Sequence, residues 1–142
     1  MSGAAAVRPV NDHSFERFLG EEKLMGARCG SCGDLFVPPR ALCPRCYGTG
    51  MEWEQMRGTG TLAGFTSIAI GPRFMAEEGY GRGNPYCTGV VELREGARVV
   101  ARIEGVDPGA PEALAVGTPV KVKFLHRGGA GGQRTFLAFE PV

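Results

Sequence analysis

A mainly β fold, preceded by one short helix and a small metal-stapled appendage, is the class this sequence predicts, and three observations carry that prediction. Four of the five cysteines fall into two Cys-x-x-Cys pairs, Cys29/Cys32 and Cys43/Cys46, ten residues apart. From Thr59 onward apolar residues recur at every second position, the period of half-buried strands. Ahead of the cysteines a single stretch, "NDHSFERFLGEEK", has helical spacing instead. With 142 residues and 43% hydrophobic content, the chain has room for one compact core and an appendage, and too little for two ordinary domains.

The elements follow in order. "MSGAAAVRPV" is small and mixed, so the first dozen residues are expected to form a loosely held tail. Asp12 or Ser14 can cap a helix over residues 13 to 22, with Phe15, Phe18 and Leu19 on one face and Gly20 weakening its end. So short a helix has little stability of its own, and its aromatic face must dock on something, either the barrel or a partner. Phe15 and Phe18 are therefore candidate partner-docking residues.

Five strands follow. "TLAGFTSIAI" places Leu62, Ile68 and Ile70 on one face; "YCTGVVEL" does so with Cys87, Val91 and Leu93; "VVARI" sets Val99, Ala101 and Ile103 against Arg98 and Arg102. "PVKVKFLH" alternates Val120, Val122 and Phe124 with lysines, and "RTFLAFEPV" ends the chain. Glu95-Gly96 reads as a tight hairpin turn, and "DPGAPEALAVGTP" as a longer connection with one helical turn near Glu112 to Leu114. "RGGAGGQ" reads as a mobile hairpin tip. Five short strands with a crossing segment between the third and fourth suit a closed barrel of the OB type, because closure removes exposed edges. The expected division is a tail and helix over 1–25, a ribbon over 26–57 and the barrel over 58–142.

The cysteines are the specific chemical signal. A two-residue gap lets both sulfurs of a pair reach one metal from a single turn, so Cys29, Cys32, Cys43 and Cys46 are expected to hold a structural Zn²⁺ in a tetrahedral thiolate shell. Gly30, Gly33 and Gly48 suit the sharp turns, and Pro38-Pro39 stiffens the short span between the pairs. Such a shell has no open position for water or substrate, which makes the site a staple. The same ligand set suits rubredoxin-like iron. Cys87 lies on the apolar face of a strand and reads as inert core filler. Neither His13 nor His126 stands in a recognised arrangement in the sequence, and no catalytic motif is present.

Taken together, "RCGSCGDLFVPPRALCPRC", "MEWEQMRGTGTLAGFT", "TGVVELREGARVVARIEG" and "LAVGTPVKVKF" resemble one family: acyl-CoA-associated OB-fold proteins with an N-terminal helix and a rubredoxin-like zinc ribbon. The likeness runs from about Phe15 to Pro141. Its most specific parts are the cysteine pairs around Pro38-Pro39-Arg40, Trp53, the Gly58-x-Gly60 start of the barrel and the Glu92-Leu93-x-Glu95-Gly96 hairpin. Phe15 or Phe18 stands where many relatives carry Trp. Such proteins are small companions of thiolase-fold enzymes, among them thiolases and steroid side-chain aldolases. The resemblance implies a non-catalytic subunit that helps complete an acyl-CoA site borne by a thiolase-fold catalytic partner.

A CoA thioester joins an anionic nucleotide to an apolar acyl chain, and its site needs cationic donors beside a dry channel. The chain has 13 arginines and three lysines, which favours fork-shaped contacts to phosphate. Arg40, Arg45 and Arg57, on and after the ribbon, are the candidate CoA or partner contacts. "GPRFMAEEGYGRGNPY", residues 71 to 86, is long for a hairpin loop; Phe74 and Tyr80 make it a candidate interface or lid. The formal net charge is +1. Four thiolates and one Zn²⁺ move it to −1, so no overall field draws the molecule to nucleic acid, and a zinc-ribbon nucleic-acid binder is the less favoured alternative. No run of about 20 apolar residues is present for a membrane span, and reduced, metal-spaced thiols suit the cytoplasm.

Overall fold

The computed structural model describes residues 8–128 and 134–142. It opens with helix α1, Asp12–Gly20, whose cap is Asn11 and not Asp12 or Ser14. Asn11 is extended, and its Oδ1 accepts the Ser14 N–H at 2.9 Å. That geometry leaves Asp12 inside the first turn, where a negative charge suits the helix dipole. Phe15, Phe18 and Leu19 face inward. Arg8 to Val10 do not form the loose tail expected of them. The Arg8 guanidinium lies 4.4 Å from the centre of the Phe18 ring, and its carbonyl accepts the Trp53 Nε1–H at 2.9 Å.

The ribbon is a three-stranded sheet of β1 (Met25–Cys29), β2 (Leu35–Phe36) and β3 (Met51–Gln55), in the order β2-β1-β3. Arg28 on β1 reaches Glu54 on β3 through two charge-assisted bonds of 2.7 and 2.9 Å. Phe18 packs edge-on against Trp53 of β3, with ring centres 5.0 Å apart. The helix face is thus covered by this chain's own ribbon and barrel: Phe18 is 1% exposed, and Phe15 joins Leu62, Val91 and Phe139 in one apolar core. Of the two rings expected to dock a partner, Phe18 is enclosed by this chain's own ribbon, and Phe15 packs on the barrel core with 8% of its surface exposed.

The barrel is closed, as expected for the OB type. Its strands are β4 (Thr59–Ile68), β5 (Tyr86–Leu93), β6 (Arg98–Ile103), β7 (Pro119–Arg127) and β8 (Arg134–Pro141), in the order β4-β5-β6-β8-β7, with β7 returning to β4. Closure between β6 and β8 is parallel and rests on two residue pairs, Arg102↔Ala138 and Ile103↔Phe139. The Gly58-x-Gly60 start is a packing requirement: a Cβ at Gly60 would run into the Glu92 carbonyl, and Gly58 has φ +84° with Val122 against it. Gly96, at φ +102°, makes the β5–β6 turn, and a 3₁₀ turn at Pro111–Ala113 precedes β7. The "RGGAGGQ" tip lies almost wholly outside the described residues.

Two outward positions depart from simple alternation. A bulge between Leu62 and Gly64 reverses the parity of β4, so Phe65 opposes Gly89 on the inner face and Ile68 opposes Tyr86 on the outer one. The expected common face of Leu62, Ile68 and Ile70 is therefore broken, and Ile70 lies beyond the strand, exposed. Arg102 faces outward from β6 yet is buried, because the β4–β5 connection folds over it. That connection carries α2 (Arg73–Glu77), buries Met75, stacks Phe74 on Phe136 and sets Glu78 against Arg102 at 2.7 Å and Arg127 at 3.1 Å. Among the described residues no helix is long and apolar enough to cross a membrane.

Burial acts to raise the Glu78 pKa, but the Arg102 and then the Arg127 guanidinium outweigh it and hold the carboxyl below the usual range. A group depressed in the folded state contributes stability that is fully present above its unfolded value, about 4.3 for glutamate, and is lost as pH falls through the lower folded value. Urea midpoints of Glu78→Gln should therefore lose less on acidification than those of the parent, and parallel curves would contradict the buried latch. Phe18→Ala should cost about 3–5 kcal/mol in the same measurement.

Candidate functional site

The four ribbon sulfurs meet at one point because two turns of the same form present them. In the first, the Gly33 N–H bonds the Cys29 carbonyl at 2.9 Å; in the second, the Tyr47 N–H bonds the Cys43 carbonyl at 2.8 Å. The left-handed residue is Gly33 in one and Tyr47 in the other, with φ +81° and +62°. Of the glycines expected to shape these turns, Gly33 does so by positive φ, while Tyr47 takes the place anticipated for Gly48.

Cys29 lies 3.5 Å from Cys46 and Cys32 lies 3.6 Å from Cys43, sulfur to sulfur, and all four sulfurs fall within 4.8 Å of one another. A tetrahedral tetrathiolate with metal–sulfur bonds of about 2.3 Å needs edges of about 3.8 Å. The cluster is thus positioned for a metal ion. Backbone N–H groups of Cys32 and Ser31 bring the Cys29 thiol down to about 6. The Asp34 N–H favours the Cys32 thiolate, yet burial and the adjacent sulfurs push that thiol up to about 12. The Cys29 thiolate forms readily, while Cys32 and Cys46 resist ionising beside the other sulfurs, a conflict that a bound cation would relieve. Every tetrahedral position is filled by protein.

The other candidates are dispersed. Arg40 lies exposed, 5.9 Å from the centre of the Phe36 ring, and Arg45 sits on the ribbon 3.5 Å from Asp34. Arg57 lies where ribbon meets barrel, its backbone N–H donating to Glu95 at 2.8 Å. Tyr80 packs edge-on to Tyr86 with Arg102 5.8 Å away, whereas Phe74 keeps 43% of its surface exposed. Cys87 is buried, and burial, then the Asp107 charge, pushes its thiol up. His126 is more engaged than its sequence position suggested. It bonds Thr135 Oγ1 and Glu22 Oε2, each at 2.8 Å, tying the end of α1 to the β7–β8 hairpin. A separation of 104 residues hid the Glu22 contact from the sequence.

Two adjoining grooves were also invisible there. The first, about 300 Å³, opens where β6 and β8 diverge and is lined by Phe15, Ile68, Phe74, Val100, Phe136 and Leu137 among others. The second, about 350 Å³, lies between α1 and the β7–β8 hairpin and is lined by His13, Arg17, Gly20, His126 and Arg134. Glu16 and Thr135 border both. Arg40, Arg45 and Arg57 line neither.

Comparison with known proteins gives a consistent result. Residues 18–52 match the family described as the ChsH2 rubredoxin-like zinc ribbon domain, and residues 53–125 match the ChsH2 C-terminal OB-fold domain. A DUF35 domain-containing scaffold protein of Methanocaldococcus jannaschii is 28% identical over 134 residues, covering 92% of this chain and 86% of that protein. The benzoylsuccinyl-CoA thiolase subunit BbsA of Thauera aromatica is 34% identical over 87 residues, covering 61% of this chain and 55% of BbsA. Among solved structures, a chain of the Ltp2-ChsH2(DUF35) aldolase superposes with a TM-score of 0.73 at 25% identity, covering 94% of this chain and 98% of that one.

Cys43→Ser should abolish tight metal binding and melt the ribbon before the barrel, because structural metal supplies about 10–16 kcal/mol of apparent binding energy to such a segment. Amide exchange reads the two regions separately. A metal-free variant with the β1–β3 amides fully protected would contradict the staple.

Proposed function

Because this chain belongs to the ChsH2 family of paired rubredoxin-like zinc ribbon and OB-fold domains, we propose that it is a non-catalytic companion subunit of a thiolase-fold enzyme acting on CoA thioesters. The observation that carries this reading is a whole-chain likeness to a chain of an aldolase assembly, in a protein whose metal centre is closed. A four-sulfur shell leaves no coordination position for substrate. Cys87 is buried with its thiol raised, and both ring nitrogens of His126 are engaged in tying α1 to the barrel. The thiolase subunit among its relatives supports the same class of partner.

The metal is zinc in a structural role. It would be held by Cys29, Cys32, Cys43 and Cys46 and supplies charge neutralisation and rigidity. The ribbon and barrel then act as a docking body, and the nucleophile and base belong to the partner. Phe74 on the barrel cover and Arg40, Arg45 and Arg57 on and after the ribbon, all exposed, are the side chains open to meet it.

Co-expression with a thiolase-fold subunit encoded beside this chain should give a stable complex on gel filtration that turns over a CoA thioester, while the isolated chain does not. Turnover by the isolated chain, or failure of every such subunit to associate, overturns the reading. Metal analysis should give one zinc per chain and a colourless protein; strong visible absorption from a ferric tetrathiolate would refute zinc.

A further inference from the structure

We propose that the ribbon holds a redox modification site for peroxides, in which Cys32 and Cys46 are the sulfurs oxidised and Cys43 and Cys29 the sulfurs that close on them. Two disulfides across the ribbon then take over the stapling role of the metal. The inference concerns the cysteine cluster alone and stands apart from the companion reading.

Exposure divides the four cysteines into two kinds. Cys29 and Cys43 are 1% and 0% exposed, whereas Cys32 and Cys46 are open to solvent. Two sulfur–sulfur contacts have hydrogen-bonding geometry, Cys29–Cys46 at 3.5 Å and Cys32–Cys43 at 3.6 Å, and each joins one cysteine of either kind. A small oxidant meets the exposed member first, and the buried member already lies against it. That is the arrangement of an attacked thiol with a resolving thiol beside it.

The approach to one pair is left open by a missing side chain. A Cβ on Gly48 would stand 3.3 Å from the Cys46 sulfur and 3.9 Å from that of Cys29. The backbone does not call for glycine there, since the left-handed residue of that turn is Tyr47. What the absent methyl leaves is access.

The pairing follows from where the contacts run. Both join the turn between β1 and β2 to the turn between β2 and β3, and they share no sulfur, so closing one leaves the other able to close. Bridges within a Cys-x-x-Cys pair would link residues of a single turn and leave the two turns separate. Cross-bridges tie the same turns that a metal would tie, and they keep Cys29 at the end of β1 beside Met51.

The chemistry balances with hydrogen peroxide as the oxidant. At each exposed sulfur the thiolate takes one peroxide oxygen, the O–O bond breaks, and hydroxide departs from a sulfenic acid. The buried thiol then attacks that sulfur, the S–O bond breaks, and its proton leaves with the second hydroxide as water. Each disulfide thus consumes two thiols and one peroxide, passes two electrons from sulfur to oxygen and yields two waters. Disulfide sulfurs are no longer thiolate ligands, so closure forfeits the metal. A dithiol reductant reverses the step by exchange, its own sulfurs becoming the disulfide.

Hydrogen peroxide titrated into the zinc-loaded full chain tests this, with freed zinc read by a chromogenic chelator and bridges mapped by mass spectrometry after the remaining thiols are alkylated. The expected result is zinc release in step with Cys29–Cys46 and Cys32–Cys43 bridges, while Cys87, 2% exposed, is recovered as a free thiol. Amide exchange should show β1–β3 still protected in the oxidised chain, and dithiothreitol with added zinc should restore the starting state. Gly48→Ala should still bind zinc and close Cys29–Cys46 about threefold or more slowly relative to Cys32–Cys43; an unchanged ratio overturns Cys46 as the attacked sulfur. Bridges within the Cys-x-x-Cys pairs, sulfinic or sulfonic acids in place of bridges, zinc retained with four free thiols under excess peroxide, or loss of β1–β3 protection on oxidation each overturns the site.

Discussion

Four cysteine sulfurs converge within 4.8 Å of one another, and thiolates brought that close repel unless a cation lies between them. Cys29 closes β1 and pairs with Met51 at the start of β3. A metal held there would therefore fix the end of the same ladder that places Trp53 opposite Ala27. Trp53 in turn holds the Phe18 ring on one side and the Arg8 carbonyl on the other. Through these contacts the metal site sets where α1 lies, and α1 supplies a wall of both grooves. An ion held by the four sulfurs would thus fix one wall of the grooves without lining either, in the way a structural metal replaces a core too small to fold alone.

The barrel solves a second problem at its weakest seam. Two parallel residue pairs close β6 onto β8, and beyond them the strands separate. A gap of that kind exposes apolar side chains and unpaired backbone unless something covers it. The β4–β5 connection covers one part, with Met75 buried and Glu78 shared between Arg102 and Arg127. The latch is electrostatic, and it works because both charges are largely shielded: the Arg102 side chain is 8% exposed and that of Glu78 21%. Ion pairs with both members open to water, such as Arg73–Glu77, contribute little by comparison.

Legibility in the sequence followed the range of the interactions. The cysteine pairs, the Glu95-Gly96 turn and the inner faces of β5 and β6 depend on neighbours a few positions away, and all were readable. Position 102 was read correctly as outward, yet its burial depends on a loop some 24 residues earlier. The parity of β4 was lost at a bulge, which leaves no mark in a pattern of apolar residues. Tyr47 adopts a positive φ where glycine was anticipated nearby, because the turn's hydrogen bond to Cys43 decides the backbone there. The helix face was recognised as needing a cover; that the cover belonged to the same chain turned on Trp53 and Arg8, 35 and 10 residues away. The grooves were unreadable for the same reason, since the polar one joins α1 to strands more than a hundred residues distant and the apolar one gathers residues from Phe15 to Leu137.

That distribution bears on function. Every strongly patterned feature of this sequence specifies architecture: the staple, the turns and the strand faces. The side chains left free by that architecture are arginines, an unpaired strand edge and aromatic surface around a seam, which are groups that bind and orient. Here the buried thiol is raised in pKa by its apolar surroundings and the engaged imidazole ties two elements together. That division, a stapled body beside a seam of arginines and aromatic surface, is the physical ground of the companion-subunit proposal.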